Sequence, residues 1–597
     1  MRSTMIFTLL VLMGLLAYQF FFQRKQTQAP ATSQTQSPTQ ESQTSAPANP
    51  AAPPQTAAKT APQTPTVTAS MESEVEVENG LYRIVFSNRG ALIRNWILKQ
   101  YNDSSGKPLD LVQPQAAARF GFPLLLYTYD PALTSQVNND ALYQVLVNGA
   151  PPSPAVRVTA PATITFHYAA NGLDVVKTLH FDSSYVVSID SRVTRNGSPV
   201  RALVEWPAGL GDMEEFAPGS ITRSQVRTSA YSYFGWSVDG KQDSLAAKKV
   251  SGNETLDEPY QYAAIMDLYF AAALLPDAPE RATLVTLHNT IDLPSNPSDP
   301  NSRKTPADVI GLAIGDTSGD TRLRLFAGPK AMDVLKSIHA IGADGKATGQ
   351  NLEPLVQFGW MTVIAKPLYL ALRFLRDLMG PGAYNWGWAI IIVTVIFNLL
   401  MLPTRFMMMR SSLKMMRIQP KVDAIKRRYA NLKMNDPKRT EMNTEMMALY
   451  KAEGVNMYGG CLPLLVQMPL FFAYYRVLYN AIELRQAQWF WLTDLSMPDP
   501  RYILPVLIIV TMFLTQYITP SPGMDPAQRR MMAFMMPAIF GFTMLHFASG
   551  LALYWGTGNV INLVLQVAIN SSSMGKEMHA ISARRAAKKG GAQQVRR

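Results

Sequence analysis

Hydrophobic and polar positions along this chain fall into two regimes. From Trp386 to Asn570, five long apolar segments follow one another: Trp386–Met401, Leu462–Ile482, Tyr502–Ile518, Met531–Phe547 and Leu551–Ile569. Each approaches the ~20 residues a helix needs to cross a hydrocarbon core. Before them, residues 71–350 alternate with a period of two. The runs Tyr82–Phe86, Tyr143–Val147, Val156–Tyr168, Leu173–Phe181 and Tyr185–Val193 are rich in β-branched and aromatic residues. Turn pairs such as Asn171-Gly172 and Asn196-Gly197 separate several of them, the pattern of a large β-sandwich. The expectation is a polytopic α-helical membrane protein carrying an all-β sandwich domain.

The flanking pieces complete the plan. Arg2, an apolar run Met5–Phe22 and Arg24-Lys25 lack a small-residue cleavage site, so residues 1–25 read as an uncleaved signal anchor. Residues 26–70, rich in Pro, Ala, Gln and Thr, read as a disordered tether. Residues 353–380 mix charges with Leu368, Leu372, Leu375 and Met379 at helical spacing, and a helix of this kind lies in the membrane interface. Between the first two apolar segments of the 385–570 core, residues 406–457 read as a helical hairpin with arms Ser411–Leu432 and Lys438–Ala452. Its Met-rich faces (Met407, Met408, Met409, Met415, Met416; Met442, Met446, Met447) either pack the hairpin or stay adaptable.

Charge sets the orientation. Residues 71–344 hold 30 acidic against 23 basic residues, whereas the loop 405–457 holds 12 basic against 5 acidic. The tail 571–597 adds Lys576, Arg584, Arg585, Lys588, Lys589, Arg596 and Arg597 against Glu577. Positive-inside logic makes these basic parts and both termini cytoplasmic and the β-domain external. One cysteine and six scattered histidines offer no metal-ligand spacing, so no metal or cofactor is expected. Asp212, Glu214 and Glu215 cluster in the β-domain and read as a solvated loop. With no catalytic constellation, an enzyme is not expected.

Candidate function lies in the uncharged polar residues inside the apolar segments, because polar groups in hydrocarbon are costly unless satisfied. Thr394 and Asn398 share a helix face, as do Asn559, Asn562 and Gln566, and Gln467 lies near one end of its segment. Such residues either glue helices together or line a polar pocket.

The order of motifs is specific. Phe358-Gly359-Trp360, Asn385-Trp386-Gly387, Gln419-Pro420-Lys421, Met447–Glu453, Gly459-Gly460-Cys461, Gln467-Met468-Pro469, Glu483-Leu484-Arg485, Ser549-Gly550 and Leu553-Tyr554 with Asn559 resemble, over about residues 358–569, the YidC family of membrane protein insertases. The resemblance implies insertion and folding of nascent inner-membrane proteins, alone or beside the Sec translocon, without nucleotide. It implies five helices around a groove open to cytoplasm and lipid. It makes Thr394, Asn398, Gln467, Asn559, Asn562 and Gln566 groove residues. Leu470, Phe471, Tyr474, Tyr475, Phe534 and Met535 are candidates for an apolar slide into lipid. The basic tail binds the ribosome or anionic lipid. The chain departs from the family at Asn398, where an Arg is usual. Arg405, seven residues on, and Arg476, on the opposite face from Gln467, are poor substitutes by spacing.

Overall fold

The computed structural model describes residues 66–152, 157–214, 228–296, 299–342, 344–380, 382, 384–429, 438–455, 462–520 and 526–594. The expected anchor (1–25), most of the tether (26–70), Glu215 and the tip of the hairpin (430–437) lie outside the described residues.

The β-half is a sandwich of one ten-stranded sheet and two five-stranded sheets, with a two-stranded hairpin. Aromatic side chains join the layers. Phe86 of one five-stranded sheet lies 5.9 and 5.8 Å from Phe166 and Phe181 of the ten-stranded sheet, and Trp96 lies 6.1 Å from Trp206 of the other five-stranded sheet. Leu173–Phe181 is a strand with the bounds expected. The pairs Asn171-Gly172 and Asn196-Gly197 all take positive φ, as a tight hairpin turn of this hand requires. The run from Val156 to Tyr168 is instead two strands, Arg157–Thr159 and Ala162–Ala170, because Pro161 cannot donate to a ladder.

The sandwich buries several charged groups, one of them against expectation. Asp212 is fully buried, not solvated; it lies with Asp267 near the buried Lys330, whose amine donates to the Asp267 carbonyl at 2.8 Å. Lys177 sits in the sandwich and donates to the carbonyls of Gly90 (2.9 Å), Ala91 (3.3 Å) and Leu124 (2.8 Å), so one ammonium ties the ten-stranded sheet to the turn that faces it.

The helical half follows the expected order. Its helices are α1 (Thr362–Leu378), α2 (Asn385–Leu400), α3 (Leu402–Arg428), α4 (Lys438–Ala452), α5 (Leu462–Asn480), α6 (Ile503–Ile518), α7 (Pro526–Met544), α8 (Ser549–Ser571) and α9 (Ser573–Gln594). Each expected apolar segment is helical. Among the described residues, α8 alone is a single helix long and apolar enough to cross a membrane; α2 with α3 passes that test as a pair bent by 48°. α6 and Arg530–Met544 are shorter apolar helices. The hairpin's first arm starts at Leu402, not Ser411: the chain bends at Met401, and Pro403 in the first turn of α3 fits there because it needs no partner for an N–H.

α1 buries Ala365, Leu368, Tyr369 and Leu372 and turns Val363, Phe374 and Leu378 outward. The two halves share packing. Tyr479 and Ile482 join the core of the β-domain, and the Arg485 guanidinium lies over the rings of Tyr269 and Phe270 at 5.6 and 5.4 Å. Tyr369 donates to the Glu483 carboxylate at 2.6 Å, and Arg373 pairs with Asp333, which ties α1 to both halves.

Lys177 gives a test of the sandwich. Burial pulls its amine down to about 7, while the unfolded chain keeps it near ~10.4. The unfolded state therefore holds more protons across that interval, and stability rises with pH through it. Glu205, pushed up to about 8 by burial, acts in the opposite direction, at lower pH. Denaturant unfolding of the full chain should show stability rising between about pH 8 and pH 10. Burial also pulls Lys330 down to about 8, so Lys177→Met should remove about half of that rise and, by stranding three carbonyls, cost ~2–4 kcal/mol near neutrality.

Candidate functional site

The site forms where α8 meets α2. Gly558 is the contact: a Cβ built there would stand 3.9 Å from the Asn398 amide nitrogen and 4.0 Å from Thr394 Cγ2. The absence of a side chain on α8 thus leaves the polar face of α2 against backbone. Thr394 is fully buried and Asn398 nearly so. Both satisfy themselves within their own helix, Thr394 Oγ1 donating to the Ile390 carbonyl (2.6 Å) and Asn398 Nδ2 to the Thr394 carbonyl (2.8 Å).

The Asn398 carbonyl oxygen is engaged from outside the helix. Arg405 folds back across the 48° bend and its Nη2 donates to Asn398 Oδ1 at 3.3 Å. Seven residues is two turns along nearly the same face, and the long Arg405 side chain closes that gap. Arg405 is half-buried, and its Nε is a buried donor without a hydrogen-bond partner among the described residues. Arg476, as its spacing implies, is elsewhere, its guanidinium beside Gly359.

From α5, Gln467 donates its amide to the Tyr554 hydroxyl of α8 at 2.5 Å. Tyr554 is one turn before Gly558, so Gln467 adjoins the Asn398 face. Tyr554 stacks on Tyr474, ring centroids 4.0 Å apart and planes 15° apart, and the Tyr474 hydroxyl faces Thr394. Tyr474 is therefore fully buried at the centre and not on a lipid-facing slide. The reason is that this helix is apolar on all sides, so its sequence does not mark which face is packed.

Asn559 follows Gly558 directly, and Asn562 is one turn further along. Asn559 Nδ2 and Asn562 Oδ1 are buried and have no hydrogen-bond partner among the described residues. Gln566 does not join this group. Its amide donates to Asn570 Oδ1 at 2.9 Å, and Asn570 donates to the Ile518 carbonyl at 3.0 Å, which ties α8 to the end of α6. Of the slide residues, Phe534 and Met535 are exposed on α7, while Leu470, Phe471 and Tyr475 are half-buried, Phe471 edge-on to Trp555 at 5.1 Å.

The basic tail is helical through α9. Lys576 and Arg584 are exposed on it; Arg585, Lys588 and Lys589 lie in the helix, and Arg596 and Arg597 lie outside the described residues. Its inner face is docked. Met578 packs with Met409, Leu413 and Met416 of α3, and Glu577 takes Arg417 in two hydrogen bonds of 2.8 Å. The hairpin's other Met residues divide: Met415 and Met446 pack between α3 and α4, while Met407 and Met447 are exposed.

Residues 74–371 match the profile of the YidC periplasmic domain, and residues 376–577 that of the 60Kd inner membrane protein. A membrane protein insertase YidC of Geotalea uraniireducens (strain Rf4) is 32% identical over 508 residues, covering 84% of this chain and 87% of that one. The chain belongs to the YidC family of membrane protein insertases. Another relative, the membrane protein insertase YidC of Vibrio atlanticus (strain LGP32), is 35% identical over 70% of this chain and 72% of its own. Among solved structures, an active YidC insertase with its first transmembrane domain resolved covers 84% of this chain and 94% of that one, at 17% identity and a TM-score of 0.33. YidC from Thermotoga maritima covers 84% and 99%, at 15% identity and a TM-score of 0.28. The family membership makes this an inner-membrane protein with a periplasmic β-sandwich.

Gly558 tests the packing. A Cβ there would make ordinary contacts, so Gly558→Ala should fold like the unsubstituted protein. Gly558→Leu forces its side chain onto Asn398 and Thr394 and should cost ~1–3 kcal/mol as an overpacked contact. Thermal unfolding in detergent, read for both variants together, checks the pair.

Proposed function

We propose that this YidC-family chain inserts and folds inner-membrane proteins through the polar site between α2, α5 and α8, without chemical catalysis or nucleotide hydrolysis. In this reading the anchor and the five apolar segments are spans, both termini are cytoplasmic, and α1 lies in the periplasmic interface with its apolar outer face in lipid. The observation that carries the reading is the set of unpartnered polar atoms: Arg405 Nε, on the side chain that reaches Asn398, and Asn559 Nδ2 and Asn562 Oδ1, which follow Gly558 along α8. Helix glue pairs its amides with one another. Unpaired donors and acceptors in an apolar bundle are costly, and they repay that cost when a crossing polar segment supplies the partners.

The substrate's polar tail passes along Asn398, Asn559 and Asn562. Its apolar segment leaves along the exposed Phe534 and Met535, with Leu470, Phe471 and Tyr475 at the margin. Arg405 supplies positive charge at Asn398, so acidic tails are favoured although residue 398 is neutral. The Sec translocon is a partner for larger substrates. The outward Lys576 and Arg584 face ribosomal RNA or anionic headgroups.

Two substitutions separate the parts. Asn398→Leu should impair insertion of every polar-tailed single-span substrate into proteoliposomes. Arg405→Gln should slow acidic-tailed substrates about tenfold, equivalent to ~1.4 kcal/mol, and leave neutral-tailed ones unchanged. Protease protection of the tail measures both. Unchanged insertion by Asn398→Leu at normal protein levels overturns the site.

A further inference from the structure

We infer that the tail helix α9 is a resident occupant of a substrate-docking face on α3, and that an apolar nascent segment bearing an acidic residue displaces it; this rests on the insertase reading above. The face consists of Met409, Leu413 and Met416, all buried. What covers it is on α9: Met574, Met578 and Ile581, at i, i+4 and i+7 along one stripe, with Glu577 beside them reaching Arg417. Methionine side chains adapt to differently shaped apolar partners, and the occupant displays the chemistry the face accepts: a helix with an apolar stripe and one carboxylate.

The fold-back is built into the turn. α8 ends at Ser571, and Ser572 Oγ accepts from the Gly575 N–H at 3.2 Å as α9 begins. A Cβ at Gly575 would lie 2.2 Å from the Ile569 carbonyl oxygen, so only glycine lets the tail turn back onto α3 this closely. The hold rests on the apolar stripe, since the Arg417 and Glu577 side chains are 56% and 41% exposed and ion pairs so placed contribute little. Another apolar stripe can therefore take the place of the tail, while the ion pair sets its register.

The inference separates docking from the crossing step. The face on α3 receives the substrate before Asn398 does, and access to it is controlled by the chain's own terminus. Capture should then rise when the tail is released, even though no residue of the intramembrane site has changed.

The test uses the full chain in proteoliposomes, with Leu413 replaced by a diazirine-bearing residue. The probe is a stalled ribosome presenting one apolar segment with a single aspartate. Without substitution, position 413 should crosslink to its own tail. Gly575→Val and, separately, Glu577→Arg should each lower that product about tenfold and raise crosslinking to the nascent chain about tenfold. The charge-swapped pair Arg417→Glu with Glu577→Arg should restore the tail product and lower nascent-chain capture again. Nascent-chain capture unchanged in both release variants, while the same chain is still captured from a probe at position 398, overturns the inference and leaves the insertase reading standing. Capture from neither position overturns both.

Discussion

The helical half is organised around the packing of α8 on α2 at Gly558. That contact sets Asn398 and Thr394 against α8 with room for a methyl group and no more, and the residues on either side of Gly558 take their places from it. Tyr554, one turn earlier, is close enough to stack on Tyr474 and to receive Gln467 from α5. Asn559 and Asn562, on the other side, enter a space in which each keeps an unpaired amide atom. Satisfied pairs hold the bundle here, and in the proposed function the unsatisfied atoms are where a crossing segment is recognised.

The β-domain is joined to this bundle by a loop that reaches into its base. Tyr479 and Ile482 contribute apolar area to the sandwich core, and Arg485 caps it by lying over two aromatic rings. Burial raises the carboxyls of Glu483 and Asp494 on that loop, each opposed by hydrogen bonds from Tyr369 and Ser496 respectively. Groups this costly to bury specify one arrangement of loop, α1 and domain, because other arrangements leave them without those partners.

Much of this was legible in the chain itself, for reasons that differ by region. The strand Leu173–Phe181 and its Asn-Gly turns follow from period-two patterning and positive φ, both local properties. Pro161 marked the strand break equally locally, though the long β-branched run around it masked the signal. Thr394 and Asn398 were findable because polar residues stand out in an apolar helix. Tyr474, Gln566 and Asp212 were not, since burial depends on which neighbours arrive from distant positions. Arg405 was set aside because it lies seven residues beyond Asn398, yet two turns is within the reach of an Arg side chain folded back along the same face. The docking of α9 on α3 was likewise hidden, since Met-rich stripes do not name their partners.

The bend between α2 and α3 turns α3 into a lever with very unequal arms. α3 has 27 residues, so it extends ~40 Å from the pivot, while Arg405 stands only ~6 Å from it. A tilt of about 10° that sweeps the far end by ~7 Å shifts Arg405 against Asn398 by ~1 Å, enough to make or break a 3.3 Å hydrogen bond. Large, soft displacements at the far tip thus become small, firm adjustments of the charge beside Asn398. The gearing runs the other way as well: a pull that draws Arg405 by an ångström swings the tip through several.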